Sequence, residues 1–166
     1  MSVNRSKPHL IVIPEDKADQ DIVNGFSIFL KPGERQFQVT KPAGGWVKGR
    51  NKLLELSNSC LQTNLFSHAV LIIDFDNYND RGSEIMRQVP EGVRDRVFVI
   101  GVLSNPEDLK RSLNKNFEQI GSQIAEGCKD SSVDFWQHAL LVHNIEEIRR
   151  LSGAVRDIFF NGTNNI

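Results

Sequence analysis

Cysteine is scarce in this chain: Cys60 and Cys128 are the only two among 166 residues. Two thiols cannot build a disulfide framework or a four-thiolate zinc site, so they read as reduced, buried fillers. Long apolar runs are missing too, and none approaches the roughly 20 residues that a membrane-spanning helix needs. The opening Met1-Ser2-Val3-Asn4-Arg5-Ser6-Lys7 has no apolar stretch of the secretory kind. Charge of one sign is not in excess either. Lys and Arg number 20 against 21 Asp and Glu, giving a formal net charge of −1 and a pI near 6.4. Domains that coat nucleic acid by bulk charge usually have a pI above about 9. Aromatic residues are few, at 8%, but ten are Phe, enough for a core. These absences leave a soluble, cytoplasmic protein without a membrane segment, its residues 1–166 forming one domain.

What is present is a regular alternation. His9-Leu10-Ile11-Val12-Ile13 is apolar and β-branched without alternation, the pattern of a strand buried on both faces. Glu15 to Asp21 followed by Ile22, Val23, Phe26 and Phe29 fits a helix with acids in its first turn, stopped by Lys31-Pro32-Gly33. Phe37 to Thr40 reads as a second strand, Lys41 to Gly49 as a glycine-rich loop, and Leu53, Leu54, Leu56 and Leu61 as a helix. The strongest strand, Ala69 to Ile73, runs directly into Asp74-Phe75-Asp76. Gly82 to Gln88 is a modest helix, and Val97 to Val102 is the next strand. Ser104-Asn105-Pro106-Glu107-Asp108 then carries the cap, proline and acids of a helix start. Such an order predicts a doubly wound α/β fold with a mainly parallel sheet, Rossmann-like in plan, over residues 8–112.

Residues 113–160 change character and read as a helical C-terminal cap, followed by a polar tail at 161–166. Phe117, Ile120, Ile124 and Cys128 share a helical face. Phe135 to Val142 fits helix and strand equally. Asn144 with Glu147 has the spacing of a capping box for a helix from Ile145 to Phe160, with Ile148, Leu151, Val155, Ile158 and Phe159 facing inward.

Sites in open α/β sheets form beyond the carboxyl ends of the strands. Three predicted strands deliver acids there: Glu15, with Asp19 one helical turn on; Asp74 and Asp76, on one side of the extended chain; and Glu107. Converging carboxylates repel one another, and a hard divalent cation, Mg²⁺ or Mn²⁺, relieves them. Taken singly, Glu15, Asp19 and Glu107 also suit the first turn of a helix.

A Glu after the first strand and an Asp-x-Asp after a later one resemble the Toprim domain of topoisomerases, primases, recombination-repair proteins and overcoming-lysogenization-type nucleases. Glu15 matches the family's glutamate, Asp74 and Asp76 its Asp-x-Asp, and Asp19 the extra acid of nuclease-type members. Gly44-Gly45 resembles the small-residue turn those members often carry after strand two. Where the family commonly has Gly after the glutamate, this chain has Asp16. The resemblance covers residues 8–112 and implies Mg²⁺- or Mn²⁺-dependent phosphodiester chemistry, with Glu15, Asp74 and Asp76 catalytic and Glu15, Asp19, Asp74 and Asp76 binding metal; Glu107, delivered by the fourth strand to the same edge, would join Asp19 as a further metal ligand. With a single Tyr, Tyr78, and no zinc module, a small nuclease acting on DNA or RNA fits this chain better than a topoisomerase or primase.

Nucleic acid would meet the basic stretch from Lys41 to Lys52, which holds four cations and no acid. Gly44 and Gly45 let backbone approach a phosphate, Lys41, Lys48, Arg50 and Lys52 supply charge, and Trp46 supplies a stacking face. Arg81, just past Asp76, points to the same ligand. His138 and His143 have poor spacing for a metal and read as structural. The second reading is a catalytically inactive Toprim-like module that binds nucleic acid or a partner protein. The third is a receiver-like phosphoacceptor domain, from Glu15-Asp16 and Asp74, although that fold needs a Lys after its last strand and Ala139 to Val142 ends in His143.

Overall fold

The computed structural model describes residues 8–28, 30 and 36–159. Four strands, β1 (His9–Pro14), β2 (Phe37–Val39), β3 (Ser67–Ile72) and β4 (Val97–Ile100), form one sheet in the order β2-β1-β3-β4. Every neighbouring pair is parallel, with Leu10 beside Phe37, Val12 beside Val70 and Leu71 beside Val99. A parallel sheet must be covered on both faces, and alternation along the strands meets that need. Leu10, Val12, Val70 and Phe98 enter one apolar core, and Ile13, Leu71, Ile73 and Val97 the other. The doubly wound expectation is met.

On the first face lie α1 (Lys17–Ser27), α5 (Pro106–Leu113), α6 (Phe117–Asp130) and part of α7 (Ile145–Phe159). On the second lie α2 (Trp46–Asn58), α3 (Cys60–Thr63) and α4 (Arg81–Gln88). Ile120, Trp136, Ile148 and Val155 pack in the same core as Leu10 and Val70, so the C-terminal third shares the sheet's core. Two glycines set the α1–α6 contact. A Cβ at Gly25 would fall 2.0 Å from the Glu118 carbonyl oxygen, and one at Gly121 would fall 1.8 Å from that of Ile22. The two backbones therefore touch, which holds α1 in place. Among the described residues no helix is long and apolar enough to cross a membrane.

Several local expectations are corrected. The glycine-rich loop ends earlier than Gly49, because α2 begins at Trp46. Phe135 to Val142 is neither a strand nor a long helix; it holds short 3-10 turns at Asp134–Gln137 and Val142–Asn144. The Lys31-Pro32-Gly33 stop, Phe29, the tail, and the side chains of Ile158 and Phe159 lie outside the described residues.

Asn144 and Glu147 do not cap α7; they reach across to the outer edge of β4. Asn144 Oδ1 accepts from Gly101 N (3.1 Å) and its Nδ2 donates to Gly101 O (2.8 Å). Glu147 Oε2 accepts from Val99 N (3.1 Å), and Arg150 donates to the carbonyls of Val97 (3.4 Å) and Arg94 (2.8 Å). An open strand edge is a template for unwanted pairing. Three side chains of α7 and its approach occupy those backbone groups instead.

Candidate metal centre

The strand order places a topological switch point between β1 and β3: the chain leaves β1 towards β2, then returns to the other side of β1. Ligands of open α/β sheets bind in the crevice beyond the carboxyl ends at such a point. Glu15 follows β1 there and Asp74 lies just past β3.

The two are joined directly. Asp74 N donates to Glu15 Oε2 at 2.7 Å. Asp16 is the N-cap of α1, its carboxylate accepting from Ala18 N (2.9 Å) and Asp19 N (3.1 Å). The cap sets the direction of α1, and Asp19 in its first turn comes under the switch point. Glu15, Asp19 and Asp74 each offer a carboxylate oxygen within 4.8 Å of the others.

No family model matches the chain, and neither curated proteins nor solved structures give a match.

The trio is electrostatically loaded. Asp19 is only 1% exposed, and its Oδ2, like Asp74 Oδ1, is buried without a hydrogen-bond partner among the described residues. Burial, with Asp74, Asp16 and Glu15 nearby, pushes Asp19 up to about 9. Burial and Glu15 raise Asp74 to about 7. Burial raises Glu15 as well, offset in part by the Asp74 N–H. An all-oxygen donor set with two orphaned carboxylate oxygens suits a hard divalent cation.

Asp76 and Glu107 lie outside this trio. Asp76 has φ +49°, and its Oδ2 pairs with Arg81 NH1 at 2.6 Å. Arg81 NH1 also donates to Asp74 O at 2.7 Å. Glu107 is exposed at the start of α5 and lies 4.0 Å from Lys110 Nζ.

The basic stretch divides between loop and helix. Ala43 N donates to Pro14 O (2.9 Å) and Gly44 N to Glu15 O (2.8 Å), so the loop is laced to the end of β1. Gly44 and Gly45 have φ +83° and +127°, conformations that glycine adopts without strain. Lys41 and Lys48 are exposed, while Arg50 and Lys52 are half-buried on α2. Gly49 rests on β3, where a Cβ would meet Leu71 Cδ1 at 2.8 Å. Trp46 has Arg81 4.5 Å and Arg50 5.5 Å from its ring centroid. The indole expected to stack on a base is occupied by two guanidinium groups, one of which steadies Asp74 and Asp76.

His138 Nδ1 accepts from Leu140 N at 3.1 Å, so Nε2 carries the proton towards Ser112 Oγ at 2.8 Å. That arrangement cannot deprotonate the serine, in keeping with a structural histidine.

Proposed function

We propose that this chain carries out divalent-metal-dependent phosphodiester hydrolysis on nucleic acid, the chemistry its resemblance to Toprim domains implies. The observation that carries the reading is the cluster of Glu15, Asp19 and Asp74 at the switch point, with two carboxylate oxygens that have no partner among the described residues. Glu15, Asp19 and Asp74 would hold Mg²⁺ or Mn²⁺. A cation there supplies an activated water and charge neutralisation on a phosphate oxygen.

The protein's own groups do the rest. Burial keeps water from screening Asp19, so its attraction for a cation is strong once its proton is lost. Glu15 is poised by its bond to Asp74 N to orient that carboxylate. Arg81 ties Asp74 O to the Asp76 carboxylate and keeps both beside the cluster. Lys41 and Lys48 offer charge to a phosphate backbone without a buried cost. Since ligand carboxylates must lose their protons, cation affinity should rise with pH through about 7 and on towards 9.

The test is Mn²⁺ titration followed by cleavage assays on single- and double-stranded DNA and RNA. Saturable Mn²⁺ binding and cleavage, both lost in Asp74→Asn, are expected. Absence of divalent binding in the wild type would refute the reading. A second reading, a module that binds without turnover, draws support from Asp76 and Glu107 standing outside the trio. Binding of Mn²⁺ and nucleic acid without cleavage would favour it.

A further inference from the structure

Past Asp74 the chain turns sharply. Asp76 and Asn77 have φ +49° and +61°, left-handed values that Asp and Asn tolerate better than most side chains. Asn77 N donates to Leu103 O at 2.7 Å and fixes the turn. It brings Arg81, the first residue of α4, back beside the strand end. Gly82 lets α4 come close there, since a Cβ would sit 3.3 Å from the Phe75 ring.

Arg81 is the buried member of its pair with Asp76: its side chain is 12% exposed and that of Asp76 60%. Nη1 donates both to Asp76 Oδ2 at 2.6 Å and to Asp74 O at 2.7 Å. Trp46 covers the guanidinium from 4.5 Å. A guanidinium keeps its charge at any ordinary pH, and a charge this shielded from water needs a partner. The charges of Arg81 and Asp76 both reach Glu15 and Asp74, so the pair stands beside the acidic trio. Yet the Asp76 carboxylate is not a member of that trio. A metal ion held by Asp74 and Asp76 together would have to break the Arg81 bond and lie against a fixed positive charge.

We propose that Arg81 stands in for a second metal ion: its guanidinium occupies the Asp76 side of the site, so that the chain binds a single divalent cation, held by Glu15, Asp19 and Asp74. Asp76 then holds the arginine and not metal. Arg81 is a positioning residue in this arrangement, and it places a permanent positive charge where a second ion would otherwise neutralise phosphate. The proposal rests on the cation site proposed for the three acids, and its test separates the two.

Mn²⁺ bound per chain is measured from the electron paramagnetic resonance signal of the free ion in the full chain and in three variants, with far-UV circular dichroism confirming each fold. The wild type should bind one ion. Arg81→Gln, which removes the charge and frees the Asp76 carboxylate, should bind two. Arg81→Lys, which keeps the charge, should bind one, a division that a purely structural arginine would not produce. Asp76→Asn, which tolerates the same left-handed φ, should keep the single ion with affinity lowered by less than about tenfold. Two ions in the wild type or in Arg81→Lys overturn the proposal and leave the cation site standing. One ion in a folded Arg81→Gln overturns it as well. Should Arg81→Gln fail to fold, Asp76→Asn decides, and loss of its ion overturns the proposal. No ion in the wild type defeats the cation site itself, and the proposal with it.

Discussion

Replacing Asp19 by Asn should stabilise the metal-free protein, although it removes a residue from the centre of the site. An aspartate with an ordinary pKa of 3.8 stands at about 9 in the fold. Below about pH 4 both the folded and the unfolded chain hold its proton, and there is no cost. Between about pH 4 and pH 9 only the folded chain holds it, so folding must take up a proton and stability falls as pH rises. Each unit costs about 1.4 kcal/mol, so at pH 7 the cost is about 4 kcal/mol. Asn is neutral at every pH and nearly the same shape. Its new N–H groups lack partners in that buried place and give back about 1–2 kcal/mol. A net gain of about 2–3 kcal/mol follows, or a rise in Tm of about 5–10 °C for a chain of this size. The measurement is urea unfolding in EDTA at pH 4.5, 6 and 7.5, read by the fluorescence of the buried Trp136 and by circular dichroism. The gain should be absent near pH 4.5 and grow towards pH 7.5, and Mg²⁺ should stabilise the wild type alone. A variant no more stable than wild type at pH 7.5, or a difference that ignores pH, would refute the electrostatic account.

Gly121→Ala forces a Cβ to within 1.8 Å of the Ile22 carbonyl oxygen, so α1 and α6 must part; a loss of about 1–3 kcal/mol and weaker Mn²⁺ binding through displaced Asp19 should appear together. Arg96 is buried and donates to the carbonyls of Leu61, Asn64 and Ser67 at 2.8–3.0 Å; Arg96→Met removes a donor from each, with Asn64 O keeping Ser67 N, and should cost about 2–4 kcal/mol in urea unfolding. Asn144→Leu strips both partners from Gly101, with an expected loss of about 2–3 kcal/mol and concentration-dependent association by light scattering as the β4 edge opens. Arg81→Ala should shift Trp46 fluorescence, since the guanidinium now 4.5 Å from the ring is gone, and should lower Mn²⁺ affinity as Asp74 loosens.

Much of the fold was legible because burial on both faces demands unbroken apolar runs, and those of β1, β3 and β4 stand out from their neighbours. Their boundaries were less legible. Trp46 already begins α2, because Gly44 and Gly45 complete the turn that hydrogen-bonds to the end of β1. Asn144 and Glu147 had the spacing of a capping box, yet the free edge of β4 competes for the same side chains and wins. No local pattern reveals that edge, since it exists only once four strands are ordered.

The sequence by itself determined the alternation of strands and helices, and it placed Glu15, Asp74 and Asp76 just past apolar strands. Periodicity and hydropathy are local properties, so a linear reading suffices for them. Only the tertiary structure decided which acids meet. Strand order put β1 beside β3, and the glycine contact between α1 and α6 brought Asp19 under them. Arg81 pairs with Asp76 at the side of the cluster, and the start of α5 leaves Glu107 exposed. Convergence of charges depends on distances of a few ångströms between segments more than 50 residues apart, and spacing along the chain carries no such distances.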